Sequence, residues 1–312
     1  MTKALTVLRA LADPTRLRIV GLVRGMELAV GELALVLRQS QPRVSRHVKI
    51  LCAAGLIARH KEGAWVFLRL AEGAAAAPAL ALIDALGDDG VADLARLTAV
   101  RAERAAASAG WFAAHAADWD ALRSLHVAED KVEAAVAKAL GGRPLGDLLD
   151  IGTGTGRMIE LLGGSATTAL GVDRSPEMLR IARAKIEAAG LAHAQVRQAD
   201  MYALPLGDAE ADTVVLHQVL HYAQEPERAI AEAARVLGPN GRLLVVDFAP
   251  HSREELRAHH AHARLGFDDA AVSGWLAAAG LDARVAAKLP GGDLTVTLWL
   301  GSRPALARKA AA

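Results

Sequence analysis

The stretch "LLDIGTGTGRMIELL", residues 148–162, decides the fold. An apolar run climbs to Asp150, three glycines alternate with threonines, and a helical pattern resumes at Met158. A strand that breaks at a glycine-rich turn and reopens as a helix lets a ligand approach the backbone closely. The same rhythm continues outward. "TALGVD" reads as a strand, "SPEMLRIARAKIEAAG" as a helix and "AQVRQAD" as a strand. "DTVVLHQVLHY" is a strand running into a loop, "PERAIAEAARVL" a helix and "GRLLVVDF" a strand. Strands alternating with helices predict an α/β domain with a mostly parallel sheet covered on both faces. Ligands then bind outside the carboxyl ends of the strands, near the point where strand order reverses.

Two cofactors compete for that turn. A dinucleotide asks for G-x-G-x-x-G. Gly152 and Gly154 fit, but the third position is Arg157 and Gly156 comes one residue early. Asp150 also ends the strand where it would crowd a pyrophosphate. S-adenosylmethionine carries no phosphate; its methionine ammonium suits Asp150. Asp173 ends the second strand, 23 residues after Asp150, where a carboxylate can accept from two ribose hydroxyls. Sites for nicotinamide dinucleotides use the same device, so Asp173 does not discriminate. Asp200 ends the third strand and, with the Met201 N–H, can address an adenine edge. Acids at strand ends often only cap the next helix; the glycine turn and three such acids at the right spacing point beyond capping.

The region 145–250 resembles the class I S-adenosylmethionine-dependent methyltransferases, in particular the type 11, small-molecule group of the ubiquinone and menaquinone methyltransferases. "LLDIGTGTGR", "GVDRSPEMLRIAR", "QADMYALPLGDAEADTVVLHQVLHY" and "RVLGPNGRLLVVDF" carry the resemblance. It implies a Rossmann-like, seven-stranded sheet in which "LDARVAAKL" and "LTVTLWLG" are two closing antiparallel strands. It also implies that Asp150, Gly152, Gly154, Gly156, Asp173, Arg174, Met178, Asp200 and Met201 hold the cofactor, with Gln218 near its methionine end.

Methyl transfer is an in-line displacement, so the protein chiefly supplies alignment. A base is needed only where the acceptor must lose a proton. The candidates are His217 and His221 after the fourth strand and the histidines of "HSREELRAHHAHARLGF", with His221 and His262 preferred. His259 and His262 could share a helix face and suggest a metal, but no cysteine and few acids join them, so no metal is expected.

The front of the chain has a different character. Residues 1–71 carry twelve Lys and Arg against four Asp and Glu, a net of +8; with +1 overall, the rest carries −7. A basic module on an acidic body suggests that the front end meets a polyanion. Residues 4–24 read as two helices broken at "DPTR", with Asp13 as cap and Pro14 in the first turn. "VGELALVL" is a short helix. In "RQSQPRVSRHVKILCAAGLI", Ser40 is the expected cap and Val44, Val48 and Leu51 share one face. The opposite face shows Gln41, Arg43, Ser45, Arg46 and Lys49, residue types that read base edges and phosphates. "LIARHKEGAWVFLRL" alternates around a glycine as a hairpin whose tip would hold Arg59, His60 and Lys61.

This module resembles the ArsR/SmtB winged helix-turn-helix repressors, through "LADPTRLRIVGLV", "QPRVSRHVKILCAAGLI" and "ARHKEGAWVFLRL". The resemblance implies a homodimer on a palindromic double-stranded DNA operator. Many members hold a metal through Cys-x-Cys on the third helix; here Ala29 and Gly31 stand in "ELAVGELA", and neither can ligate. An arsenite acceptor, bound through several thiols, is excluded in the same way, because Cys52 is the one cysteine and sits in the basic module. A single cysteine also fits a reducing cytoplasm. No uncharged run exceeds about a dozen residues, too short for a membrane span, and "MTKALTVLRALADPTR" lacks the apolar core of a secretory signal.

The sequence therefore predicts a winged-helix domain over 1–71, a helical dimerisation or connector segment over 72–140, and a methyltransferase domain over 141–312. In the connector, Trp111, Phe112 and Trp119 recur at near-helical spacing. Core packing explains Trp111 and Phe112; a lid over the cofactor, with His115, Arg123 or His126, is the other reading. Three functions remain open. The first is a regulator that also methylates a small-molecule acceptor and releases S-adenosylhomocysteine. The second is a non-catalytic repressor that senses S-adenosylmethionine or that product. The third, a methyltransferase whose winged helix only dimerises, is disfavoured by the +8 charge.

Overall fold

The computed structural model of the chain describes residues 3–24, 28–62, 65–71, 75–86, 91–116, 119 and 128–304. They form two compact units, residues 1–107 and 108–312. Residues 72–140, read above as a connector, are divided between them. Ala79, Ile83 and Leu97 lie in the core of the first unit; Val132, Val136 and Leu140 lie in a core of the second.

In the first unit, helices α1 (Lys3–Leu11), α2 (Pro14–Leu22), α3 (Val30–Leu37) and α4 (Gln41–Ala53) precede a hairpin of β2 (Ile57–Glu62) and β3 (Trp65–Leu70). The two-residue strand β1 (Leu28–Ala29) pairs with β3, giving the order β1-β3-β2. Asp13 caps α2 by accepting from Arg16 N at 3.0 Å, and Pro14 follows, as its missing N–H allows. Ser40 does precede α4, but its hydroxyl makes no cap bond; only its carbonyl engages, accepting from Arg43 and Val44 N–H. The glutamate Glu32, buried in α3, reaches back to Ala29 N at 2.7 Å. Val44, Val48 and Leu51 are buried against Ile19, Leu33 and Leu56, so the periodic face of α4 is the core face.

Helices α5 (Ala76–Leu86) and α6 (Val91–His115) follow. Asp93, 4% exposed, is gripped by Arg18, with Nη2 to Oδ1 at 2.7 Å, and by Arg96. The Arg18 guanidinium, aided by Arg96, holds this carboxyl below the usual carboxylate range against its own desolvation. A depressed carboxylate stabilises the folded state above its unfolded pKa of about 3.9, and that contribution is lost as pH falls through the folded value. Asp93→Asn is therefore expected to lower stability at pH 7 by about 2 kcal/mol, discounted because both arginines are a third exposed. Urea midpoints should show the deficit shrinking towards pH 3; a deficit that is constant with pH would assign the loss to packing.

The second unit is a seven-stranded sheet in the order β6-β5-β4-β7-β8-β10-β9. The strands are β4 (Asp147–Ile151), β5 (Thr168–Asp173), β6 (Ala194–Gln198), β7 (Ala211–His217), β8 (Leu237–Phe248), β9 (Asp282–Pro290) and β10 (Thr295–Ser302). Strands β6, β5, β4, β7 and β8 pair in parallel. Strand β10 pairs antiparallel with both β8 and β9, so it alone runs against the sheet. The two closing strands are antiparallel to each other as expected, and only the second opposes the rest. Helices α7 (Glu129–Leu140), α8 (Arg157–Leu162), α9 (Pro176–Ala188), α10 (Pro226–Val236), α11 (Glu255–His260) and α12 (Asp269–Ala278) complete the unit. Central strands such as β7 and β8 are buried on both faces, which is why they read as continuous apolar runs. The order reverses between β4 and β7, and the carboxyl ends of these strands carry Asp150 and His217.

Candidate functional site

Three glycines make the turn after β4. Gly152, Gly154 and Gly156 have φ of 71°, 52° and 84°, a region that side chains disfavour. A Cβ on Gly152 would also stand 2.3 Å from Val219 Cγ2. The turn is tied to the neighbouring strand: Gly152 and Thr153 N–H donate to Val172 O at 2.8 and 2.9 Å, and Gly154 N–H donates to Asp173 Oδ2 at 2.9 Å. Asp173 accepts a second bond from Ser175 N at 2.9 Å; burial pushes its carboxyl up, opposed by these two N–H groups. Asp150 is 1% exposed and accepts from Thr153 Oγ1 at 2.6 Å. A buried acid at the floor of the turn suits a cationic ligand group.

Asp150, Gly152, Thr153, Gly154, Met158, His217, Gln218 and Trp119 line one cavity. Asp173 joins it through its bond to Gly154. The other expected residues lie outside this lining. Arg174 is exposed, with its carbonyl accepting from Gln198 Nε2 at 3.0 Å. Met178 is buried under the turn-proximal end of α9. Asp200 turns its carboxylate back to Tyr202 N at 3.0 Å, with Met201 beside it. Arg157, the residue that spoils the dinucleotide pattern, faces Glu133 at 2.6 and 2.9 Å. Gln218 holds a left-handed backbone, φ 50°, pinned by its N–H to Val246 O at 2.7 Å.

His221 sits beyond the cavity, buried. Its Nδ1 lies 2.8 Å from Asp247 Oδ1, and its backbone N–H donates to Asp247 Oδ2 at 3.2 Å. Asp247 is fully buried, and its carboxylate orients the ring through Nδ1, with Nε2 at the opposite side of the imidazole. The His262 ring stands 4.2 Å from His221. His251 joins them beside Phe248; its Nδ1 accepts from Arg253 N at 3.2 Å, and burial, then the neighbouring His221, pushes its pKa down to about 4. His259 is exposed and His260 packs against Trp111, so the histidine-rich segment is divided among three environments. Among the described residues no group of three or more His, Cys, Asp or Glu is arranged to hold a metal ion.

Asp247 and Trp119 are the residues that reading the motifs missed or left open. An acid inside "LLVVDF" was the available signal for the first. Trp111, Phe112, Trp119 and Tyr222 pack together with centroids 4.8–6.2 Å apart, edge to face except for the tilted Trp119–Tyr222 pair. Arg123 and His126 lie outside the described residues.

In the first unit, Gln41, Arg43, Arg46 and Lys49 are exposed on α4 and Ser45 is half-buried. Ser40, Pro42, Arg43, Arg46, His47 and Ile50 line an open hollow on that face. Arg59 and Lys61 are exposed but lie within β2, opposite Leu68 and Val66, so the expected placement at the hairpin tip is corrected. They alternate onto one face because a strand repeats every two residues. Cys52 lies against the core, and burial pushes its thiol up.

The bacterial regulatory protein family arsR matches residues 13–59, and the methyltransferase domain family matches residues 149–245. Residues 13–59 are thus similar to an arsR-type regulatory segment and residues 149–245 to a methyltransferase domain. The methyltransferase domain is similar to the demethylmenaquinone methyltransferase of Thermus thermophilus, 41% identical over 105 residues, 33% of this chain and 47% of that one. It is similar to the phosphatidylethanolamine N-methyltransferase of Cereibacter sphaeroides, 36% identical over 126 residues, 40% of this chain and 60% of that one. The chain thus spans about half the length of the curated relatives it matches. The YcgJ protein of Bacillus subtilis superposes with a TM-score of 0.51 at 18% identity, covering 56% of this chain and 99% of that one. The methyltransferase domain has the class I, Rossmann-like fold of S-adenosylmethionine-dependent methyltransferases, and its acid-floored glycine turn fits that cofactor. Among the described residues no helix is long and apolar enough to cross a membrane.

Proposed function

We propose that the chain is a DNA-binding regulator whose methyltransferase domain binds S-adenosylmethionine and transfers its methyl group to a small molecule. The observation that carries this is the cavity in which Asp150, the glycine turn and Gln218 converge. The sulfonium supplies an activated methyl carbon; the residues of the chain bind, align and exclude water. Asp150 takes the ligand's ammonium and Asp173 its ribose hydroxyls. Arg174, Met178, Asp200 and Met201 flank the adenosine end. His221, oriented by Asp247, accepts a proton from the acceptor at Nε2, and His262 lies against it to shape that side. The chain acts as a homodimer in the cytoplasm. Gln41, Arg43, Ser45, Arg46 and Lys49 meet one major groove per protomer, and Arg59 and Lys61 meet flanking phosphates.

A second reading, favoured by the closed packing of the His221–Asp247 pair, is a non-catalytic sensor in which the same ligand shifts DNA affinity. Linkage makes such coupling reciprocal. One titration separates the readings. Duplexes selected by the protein from a random pool are titrated with protein alone, with S-adenosylmethionine and with S-adenosylhomocysteine. A several-fold change in DNA affinity with either ligand is expected; no change with either ends the sensor reading. No calorimetric heat with either ligand ends both.

A further inference from the structure

Trp119 lines the ligand cavity although it belongs to none of the strand ends that build it. Its indole approaches edge-on. A Cβ placed on Gly154 would lie 3.3 Å from Trp119 Nε1 and 3.8 Å from Cδ1, so the N–H-bearing edge is turned to the glycine turn. Phe112 at 5.5 Å, Trp111 at 6.2 Å and Tyr222 at 6.2 Å hold the ring from its other sides. An indole N–H can only donate.

The cavity needs such a donor. Asp150 places a buried negative charge there, and an α-amino acid brings an ammonium for it together with a carboxylate that Asp150 repels. The donors of the glycine turn are already committed, which leaves the Trp119 indole and the Gln218 amide among the side chains lining the cavity. Gly152 and Thr153 N–H go to Val172 O, Gly154 N–H goes to Asp173, and the Thr153 hydroxyl goes to Asp150. Trp119 Nε1–H stands over the same turn.

We propose that Trp119 is a ligand-binding residue whose Nε1–H donates to the carboxylate of the amino-acid end that Asp150 holds by its ammonium. This rests on the S-adenosylmethionine reading above. The pair then recognises a zwitterion, not a sulfonium. Methyl donor and demethylated product gain equally from Trp119, while an analogue lacking the carboxylate gains nothing.

The test is calorimetry on the full chain and on Trp119→Phe with three ligands: S-adenosylmethionine, S-adenosylhomocysteine and decarboxylated S-adenosylmethionine. Phenylalanine keeps the ring packing and removes the N–H. A charge-assisted hydrogen bond lost in this way costs about tenfold or more in affinity. The substitution should weaken the first two ligands by that factor and the third by less than twofold. Equal weakening of all three would overturn the proposal in favour of a packing role. Weakening of the sulfonium ligands alone would overturn it in favour of a ring-face contact. A second readout does not depend on the variant's affinity. In tryptophan-15N-labelled protein, the indole N–H signal absent from Trp119→Phe should move downfield with the two carboxylate-bearing ligands and stay with the third. A signal unmoved by any of them, in protein that binds S-adenosylmethionine, overturns the proposal. Wild-type protein giving no heat with that ligand overturns the cofactor reading instead.

Discussion

Asp150→Ala should lose S-adenosylmethionine affinity by about a hundredfold or more while the ligand-free protein keeps its affinity for duplex DNA. The carboxylate is 1% exposed at the floor of the cavity. Removing one partner of a buried charge pair costs 2–5 kcal/mol or more, much of it from the ligand ammonium left without a counter-charge. The fold should survive, because the ladder of β4 to β5 and β7 at Asp150 is made by backbone groups that alanine keeps, and its carboxylate accepts from Thr153 within the turn itself. Calorimetry for the ligand and fluorescence anisotropy for DNA check the two halves separately. Unchanged ligand affinity would remove the acid from the site; a parallel loss of DNA binding would mean that the substitution had unfolded the chain.

Arg43→Ala with Arg46→Ala should do the reverse. Both guanidiniums are exposed on α4, one turn apart, on the face opposite Val44 and Val48. Each phosphate contact to B-form DNA releases counterions and contributes about 0.9 to the slope of log affinity against log salt. The double variant should bind duplex with a slope shallower by about two and an affinity at about 0.1 M salt lower by ten- to a hundredfold, with S-adenosylmethionine binding unchanged. Salt titrations of a duplex of arbitrary sequence suffice. An unaltered slope would show that α4 does not lie against DNA.

Local pattern made much of this legible. Two parallel strands announced themselves as apolar runs closing around Asp150 and Asp173, and the amphipathic period of α4 separated its core face from its basic face. The third strand is half polar and stops at Gln198, two residues short of the Asp200 expected to end it. What escaped depends on long-range register. Whether β9 runs with or against the sheet is decided by β10 inserting between β8 and β9, which no local spacing encodes. Arg59 and Lys61 looked like tip residues because the glycine of the turn stood close behind them; the pairing of Glu62 with Trp65 extends the ladder past both. Residue type points to Ser40 as a side-chain cap, but its carbonyl engages and its hydroxyl does not. The sequence points to His221, whereas the partner that orients it, Asp247, is 26 residues away and met only through the sheet. The sequence leaves Trp119 open between a packing stripe and a lid, and only its nearness to Gly154 shows what its edge can do.

The backbone at Gln218 has one more implication. A side-chain-bearing residue with positive φ is uphill by roughly 1–3 kcal/mol, and such strain persists only where the surroundings enforce it. Here the enforcing bond comes from Val246 in the adjacent strand. The wall of the cavity is thus set before anything enters it, and the conformational cost is met during folding. An incoming guest finds that stretch of chain already ordered and spends less of its own interaction energy on arranging it.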